Sequence, residues 1–197
     1  MDEIAPGLWR WTALHPDWVP DSEPGGSDDW EQRVGSVLHT TSDAAVFIDP
    51  LVPARATAFW RWADAHTRGR RVFVLTTIRW HARSRDEVAR RYTASVSRAK
   101  RNLPAGVVPI VLREAGETMF WLPEPRTLVP GDRILGDRRG GLRLCPDSWL
   151  TGATIGQEGL RAALAPVLEL GVQRVLVSHG EPVLEHGDRA LRRLLTT

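Results

Sequence analysis

Two strand-length, largely apolar runs, Val72–Thr77 and Arg174–Ser178, each deliver the chain within a few residues to a histidine, His81 and His179. A continuous apolar run of this length is the pattern of a strand whose two faces are both covered. A third short strand, Thr127–Val129, leads to Asp132 through Pro130-Gly131. In layered α/β proteins such strand ends converge on one crevice, and ligands bind there. Two histidines and an aspartate brought together in this way form a partial metal site.

The remaining elements follow from periodicity and punctuation. Residues 7–14 alternate as a half-buried strand, and the Pro-, Gly- and Asp-rich stretch 16–29 reads as a long surface loop. Val34–Thr41 and Ala44–Asp49 form a hairpin across Ser42-Asp43. Arg55–Thr67 has helical apolar spacing and is stopped by Gly69. Ser84 stands as the N-cap of a helix to Tyr92, with Glu87 as its capping-box partner. Short strands are expected at 107–112, 118–122 and 127–129, a Gly-rich loop at 136–141, and helices at 157–170 and 187–195. Strands precede helices in two similar halves, which predicts layered α/β packing in one domain over 1–197.

Charge and cysteine content narrow the function classes. Lys plus Arg number 26 and Asp plus Glu 24, spread along the chain, so no basic footprint for nucleic acid is present. Every hydrophobic segment is interrupted by charge, so no membrane span is expected, and the acidic start with a single cysteine predicts a cytoplasmic protein. Cys145 reads as a small buried apolar residue, with a soft metal ligand as the alternative. Motifs for a nucleophile elbow, a phosphate-binding loop, His-Glu-x-x-His and Cys-x-x-Cys are absent from the sequence.

In this order the elements resemble the metallo-β-lactamase superfamily, and the likeness runs through nearly the whole chain. Val46-Phe-Ile-Asp49-Pro resembles that family's Ile-Asp-Thr-Gly segment. Val74-Leu-Thr-Thr-Ile-Arg79-Trp80-His81-Ala82-Arg83-Ser84 stands where the family carries His-x-His-x-Asp-His. Phe120-Trp-Leu-Pro-Glu-Pro-Arg-Thr-Leu-Val-Pro-Gly131-Asp132 resembles the stretch leading to Thr-Gly-Asp, and Arg174-Val-Leu-Val-Ser-His179-Gly180 resembles the closing Gly-His-Gly. The resemblance implies a four-layer αββα sandwich and hydrolysis of esters, thioesters, amides or phosphoesters. It also implies that His81 and His179 belong to different metals, with Asp132 bridging them.

The departures from that pattern shape the functional expectation. Arg79, Arg83 and Ser84 stand at ligand positions of the motif, and no histidine occupies the mid-chain segment around Glu114–Glu117. A guanidinium cannot give up its charge. Two unit positive charges about 4 Å apart repel by about 4 kcal/mol at an effective dielectric of 20, and a divalent ion doubles this. The favoured expectation is therefore a metal-free relative without cofactor, in which Arg79 or Arg83 pairs with Asp132 and a small anion binds Arg79, Trp80, Arg83 and the helix start at Ser84. One alternative is a mononuclear hydrolase with a zinc or other divalent ion on His81, Asp132 and His179, the last two carrying the catalysis. Another is an interaction module acting through the Trp-bearing loop at 9–30. Trp80 itself reads as a residue capping the core.

Overall fold

The computed structural model describes residues 1–97, 103–137, 140–150 and 152–196. Strands β1 (Asp2–Ala5), β2 (Leu8–Leu14), β3 (Arg33–Thr40), β4 (Ala44–Ile48), β5 (Arg71–Leu75) and β6 (Ser95–Ser97) form one sheet in that order. The β1 to β4 pairings are antiparallel; β5 then joins β4, and β6 joins β5, in parallel. The second half begins with β7 (Val108–Leu112), β8 (Glu117–Leu122) and β9 (Thr127–Val129), followed by a two-stranded ribbon of β10 (Ile134–Gly136) and β11 (Leu142–Leu144). Strand β12 (Arg174–Val175) completes a sheet of order β12-β9-β8-β7.

Side-chain alternation places four helices on the outer faces. In β4, Ala44, Val46 and Ile48 face the second sheet, where they join Phe73 and Leu75 of β5 and meet Phe120, Leu122 and Val129. Ala45 and Phe47 point the other way, onto Phe59 and Ala63 of α1 (Ala56–Thr67) and Val88 of α2 (Arg85–Tyr92). The outer face of the second sheet, with Met119, Trp121 and Leu128, packs on Leu160 and Leu164 of α3 (Gln157–Leu164) and Leu191 and Leu194 of α4 (Gly187–Thr196). Burial on both faces is why β4 and β5 carry no polar alternation. The layers run helix, sheet, sheet, helix, as expected from the sequence.

Several local expectations are corrected. The helix expected over 157–170 is α-helical only to Leu164 and continues as a 3₁₀ turn over Ala165–Leu170, because Pro166 has no N–H to donate. The strand expected over 174–178 is regular only over Arg174–Val175, with a last hydrogen bond to β9 from Leu176 N–H to Leu128 O, before the chain turns toward His179. Ser84 occupies the N-cap position of α2 but makes no capping bond. Its Oγ instead accepts the Val52 N–H at 3.0 Å, so the box with Glu87 does not form. Part of the Gly-rich loop, Arg138 and Arg139, lies outside the described residues. Among the described residues no helix is long and apolar enough to cross a membrane.

Candidate functional site

The ends of β5, β9 and β12 meet at one edge of the two sheets. After β5 the chain makes a 3₁₀ turn over Arg79–Ala82 that turns His81 inward; Asp132 follows β9, and His179 follows β12. All three side chains are buried, and one ligating atom from each lies within 4.8 Å of the other two. His81 Nε2 is 3.1 Å and His179 Nε2 3.4 Å from the same oxygen, Asp132 Oδ1. His81 Nε2 and Asp132 Oδ1 lie at ion-pair distance, yet neither atom has an aligned hydrogen-bond partner. Two buried polar atoms this close without hydrogen-bond alignment are costly as they stand. A cation accepting both lone pairs removes that cost, so the donor set fits a divalent ion with N and O ligands.

The far side of His81 is fixed by a carboxylate. Its Nδ1 lies 2.9 Å from Asp49 Oδ2, and because a carboxylate only accepts, Nδ1 carries the proton and Nε2 faces the site. Asp49 is held in turn by the Thr77 N–H at 2.8 Å and by the Thr77 hydroxyl. It stands in the left-handed region at φ 48°, where a non-glycine residue persists only if its surroundings enforce it. A histidine whose outer nitrogen is bound by a carboxylate is the usual support of a metal ligand.

Asp132 is fixed from both ends. Glu117 of β8 accepts the backbone N–H groups of Gly131, Asp132 and Arg133 at 2.9, 2.8 and 3.0 Å. The second carboxylate oxygen of Asp132 accepts the indole N–H of Trp80. Burial and the neighbouring Asp132 charge push Glu117 up to about 7, against the pull of the backbone N–H groups and Arg133. Burial disfavours the Asp132 anion too, but His81, His179 and the Trp80 N–H hold it well below the ordinary carboxylate range. For His81, burial and Arg83 work against the cation and are outweighed by Asp132 and Asp49, which raise it to about 9. His179 is dominated by burial and falls to about 4.

The arginines behave differently from expectation. Neither bonds Asp132. Arg83, at φ 37°, sends Nη1 to the carbonyls of Gly35 at 2.9 Å and Asp49 at 3.2 Å, and Nη2 to Ser178 Oγ at 2.6 Å. Arg79 is exposed at the cleft mouth, its guanidinium 5.8 Å from the Trp80 ring centroid. Before the helix start, the Ser84 N–H donates to Pro50 O at 3.0 Å and the His81 N–H to Ile78 O at 2.9 Å. Trp80 does not cap the core, being 44% exposed. Cys145 is buried, with Sγ 3.9 Å from Arg133 Nη1, and stands apart from the His-Asp-His cluster.

These groups open onto a cleft of about 610 Å³ lined by His15, Trp30, Arg79, Trp80, Arg83 and Trp149 together with the three clustered residues. Trp30 and Trp149 each stand edge-on to His179, with centroids 5.7 Å away. The loop carrying Trp30 is tied down across the cleft, with Trp149 Nε1 donating to Gly26 O at 3.0 Å and Ser148 Oγ to Gly25 O at 2.6 Å. The sequence does not single out Trp149, because nothing in a Cys-Pro-Asp-Ser-Trp stretch says that it folds back over a strand end 30 residues later.

No family model matches the chain, and no curated protein matches it. Solved structures do. A metallo-β-lactamase from Erythrobacter litoralis superposes with a TM-score of 0.61 at 12% identity, over 99% of this chain and 89% of that one. The metallo-β-lactamase FIM-1 from Pseudomonas aeruginosa, solved in a mono-zinc form, gives 0.56 at 13% identity over 98% and 93%. A metallo-β-lactamase family protein from Thermus thermophilus gives 0.54 at 15% identity over 98% and 80%. With two facing sheets, helices outside both and a polar cluster at the shared strand ends, the chain has the metallo-β-lactamase fold.

Proposed function

We propose that this protein is a mononuclear metal-dependent hydrolase whose ion is held by His81, Asp132 and His179. The observation that carries the reading is the convergence of three buried donor atoms, with His81 Nε2 and His179 Nε2 3.1 and 3.4 Å from Asp132 Oδ1 and no aligned hydrogen bond at His81 Nε2 or Asp132 Oδ1. When bound, a divalent cation there supplies Lewis acidity and a nucleophile from water at neutral pH. Three protein ligands with a remaining open position make up an established catalytic arrangement. FIM-1, in its mono-zinc form, supports the reading to the extent that this fold accommodates a single ion.

The chain's own residues divide the remaining work. Asp49 holds a proton on His81 Nδ1, so that Nε2 is the nitrogen that would give up its proton to an ion. Arg83 lines the cleft as a charge that its bonds to Gly35, Asp49 and Ser178 hold in place, and a fixed cation favours negative charge developing on a substrate. Trp30, Trp80 and Trp149 give the cleft apolar walls that orient a small ester, thioester or phosphoester.

A second reading has its own support. A proton shared among Asp49, His81 and Asp132 also compensates the buried carboxylates, and a metal-free cleft with Arg79 and Arg83 on its walls then binds a small anion. Metal content of untagged protein offered zinc, manganese and iron in turn separates the two. Retention of about one equivalent, lost in His81→Ala and His179→Ala, together with turnover of p-nitrophenyl acetate or bis(p-nitrophenyl) phosphate, supports the hydrolase. No retained metal removes it and leaves inorganic phosphate binding as the next measurement.

A further inference from the structure

Trp80 is the one exposed residue among nine tryptophans, so its place is not explained by burial of apolar surface. Its indole N–H is spent on Asp132 Oδ2. The next residue along the same turn, His81, presents Nε2 to the other oxygen, Oδ1. Consecutive residues of one 3₁₀ turn thus divide the two oxygens of a single carboxylate between them. The indole is itself held, because its ring centroid lies 5.7 Å from the guanidinium of Arg133, which is buried and anchored by Ala115 O at 2.8 Å and Trp149 O at 2.6 Å.

We propose that Trp80 is a positioning residue that commits Asp132 to presenting one oxygen, Oδ1, to a cation held with His81 and His179. The inference rests on the metal-dependent reading above. A carboxylate can ligate through one oxygen, through both, or across two ions. Glu117 fixes the backbone of Asp132 through three N–H groups, so the side chain cannot escape the constraint by a backbone shift. With Oδ2 accepting a hydrogen bond from a rigid, two-torsion side chain, Oδ1 alone is left facing His81 and His179. Hydrogen-bonded partners of ligands tune affinity by about 10–100-fold when removed.

The test compares wild type, Trp80→Phe and Trp80→Gln, with circular dichroism as the check on folding. Zinc affinity is read by competition with a chromophoric chelator, stoichiometry by native mass spectrometry at excess zinc, and ligand arrangement by the visible absorption of the cobalt form. The expected result is one equivalent in wild type, about 10–100-fold weaker zinc binding and an altered cobalt spectrum in Trp80→Phe, and substantial recovery of both in Trp80→Gln, which keeps an N–H donor. A Trp80→Phe protein with unchanged affinity and spectrum overturns the inference and leaves the mononuclear hydrolase reading standing; two equivalents in wild type overturn both. Failure of wild type to take up zinc or cobalt overturns both.

Discussion

Arg83 and Ser178, 95 positions apart in the chain, are joined by a 2.6 Å hydrogen bond from Nη2 to Oγ. The same guanidinium reaches Gly35 O on β3 and Asp49 O after β4, so one side chain ties the first sheet to the strand end that carries His179. Arg83→Ala leaves two backbone carbonyls and a hydroxyl without this donor. At about 1 kcal/mol or more for each lost partner, the folded state should lose about 3 kcal/mol, measurable as a lower midpoint in urea unfolding. Arg83→Lys, with a point charge and no fork, should recover only part of it.

Asp49→Asn tests the support of His81. The amide can still accept from Thr77 but is a weaker partner for the imidazole Nδ1–H than the carboxylate it replaces. Zinc affinity should fall by about 10–100-fold, read by chelator competition, with little change in the fold by circular dichroism. An unchanged affinity means that His81 is oriented by packing alone.

Gly136 marks the tightest backbone approach near the site. A Cβ there would lie 2.1 Å from Glu181 O, and the Gly136 N–H donates to His179 O at 2.9 Å. Gly136→Ala must push the 179–181 turn away from β10, so a loss of about 3 kcal/mol and weakened metal uptake are expected together. Gly156→Ala is the control, since nothing lies within 4 Å of its added methyl and its φ of −92° suits any residue. As the N-cap of α3 it should lose at most about 1 kcal/mol, well short of the Gly136→Ala loss.

His39 supplies a pH dependence remote from the cleft. Burial lowers its pKa below the usual 6.5, against the raising effect of its 3.2 Å bond to Gly7 O. The folded state then binds fewer protons than the unfolded chain just below 6.5, so this residue's contribution is present above that pH and lost as the pH falls. Unfolding free energies measured from about pH 7.5 to 5 should decline less steeply in His39→Gln than in wild type. Equal slopes remove His39 as a contributor.

The layer arrangement is legible in the sequence because burial on both faces leaves a mark at every position. Val46, Phe47 and Ile48 admit no solvent-facing alternative, and the Thr127–Val129 strand ends where its pattern does. The convergence of His81, Asp132 and His179 follows from strand ends, which topology places. The direction of long side chains does not follow. Arg83 has four side-chain torsions, and its position two residues after His81 says nothing of Gly35 or Ser178, which only the folded sheets bring near. Composition assigns Trp80 to the core, whereas a single carboxylate across the cleft decides its place. Local capping chemistry assigns the Ser84 hydroxyl to its own helix, whereas the backbone of Val52, 32 positions away, claims it.

His81 hangs from the end of the first sheet, while Asp132 and His179 hang from the second. Neither half of the molecule carries the His-Asp-His cluster by itself, so on the proposed metal-dependent reading occupancy and the docking of the halves are one equilibrium seen from two sides. A cation that binds only the docked form stabilises it by about 1.4 kcal/mol for each tenfold excess over its dissociation constant. Thermal midpoints should therefore climb with the logarithm of cation concentration, and the slope of that climb reports how many ions hold the two sheets together.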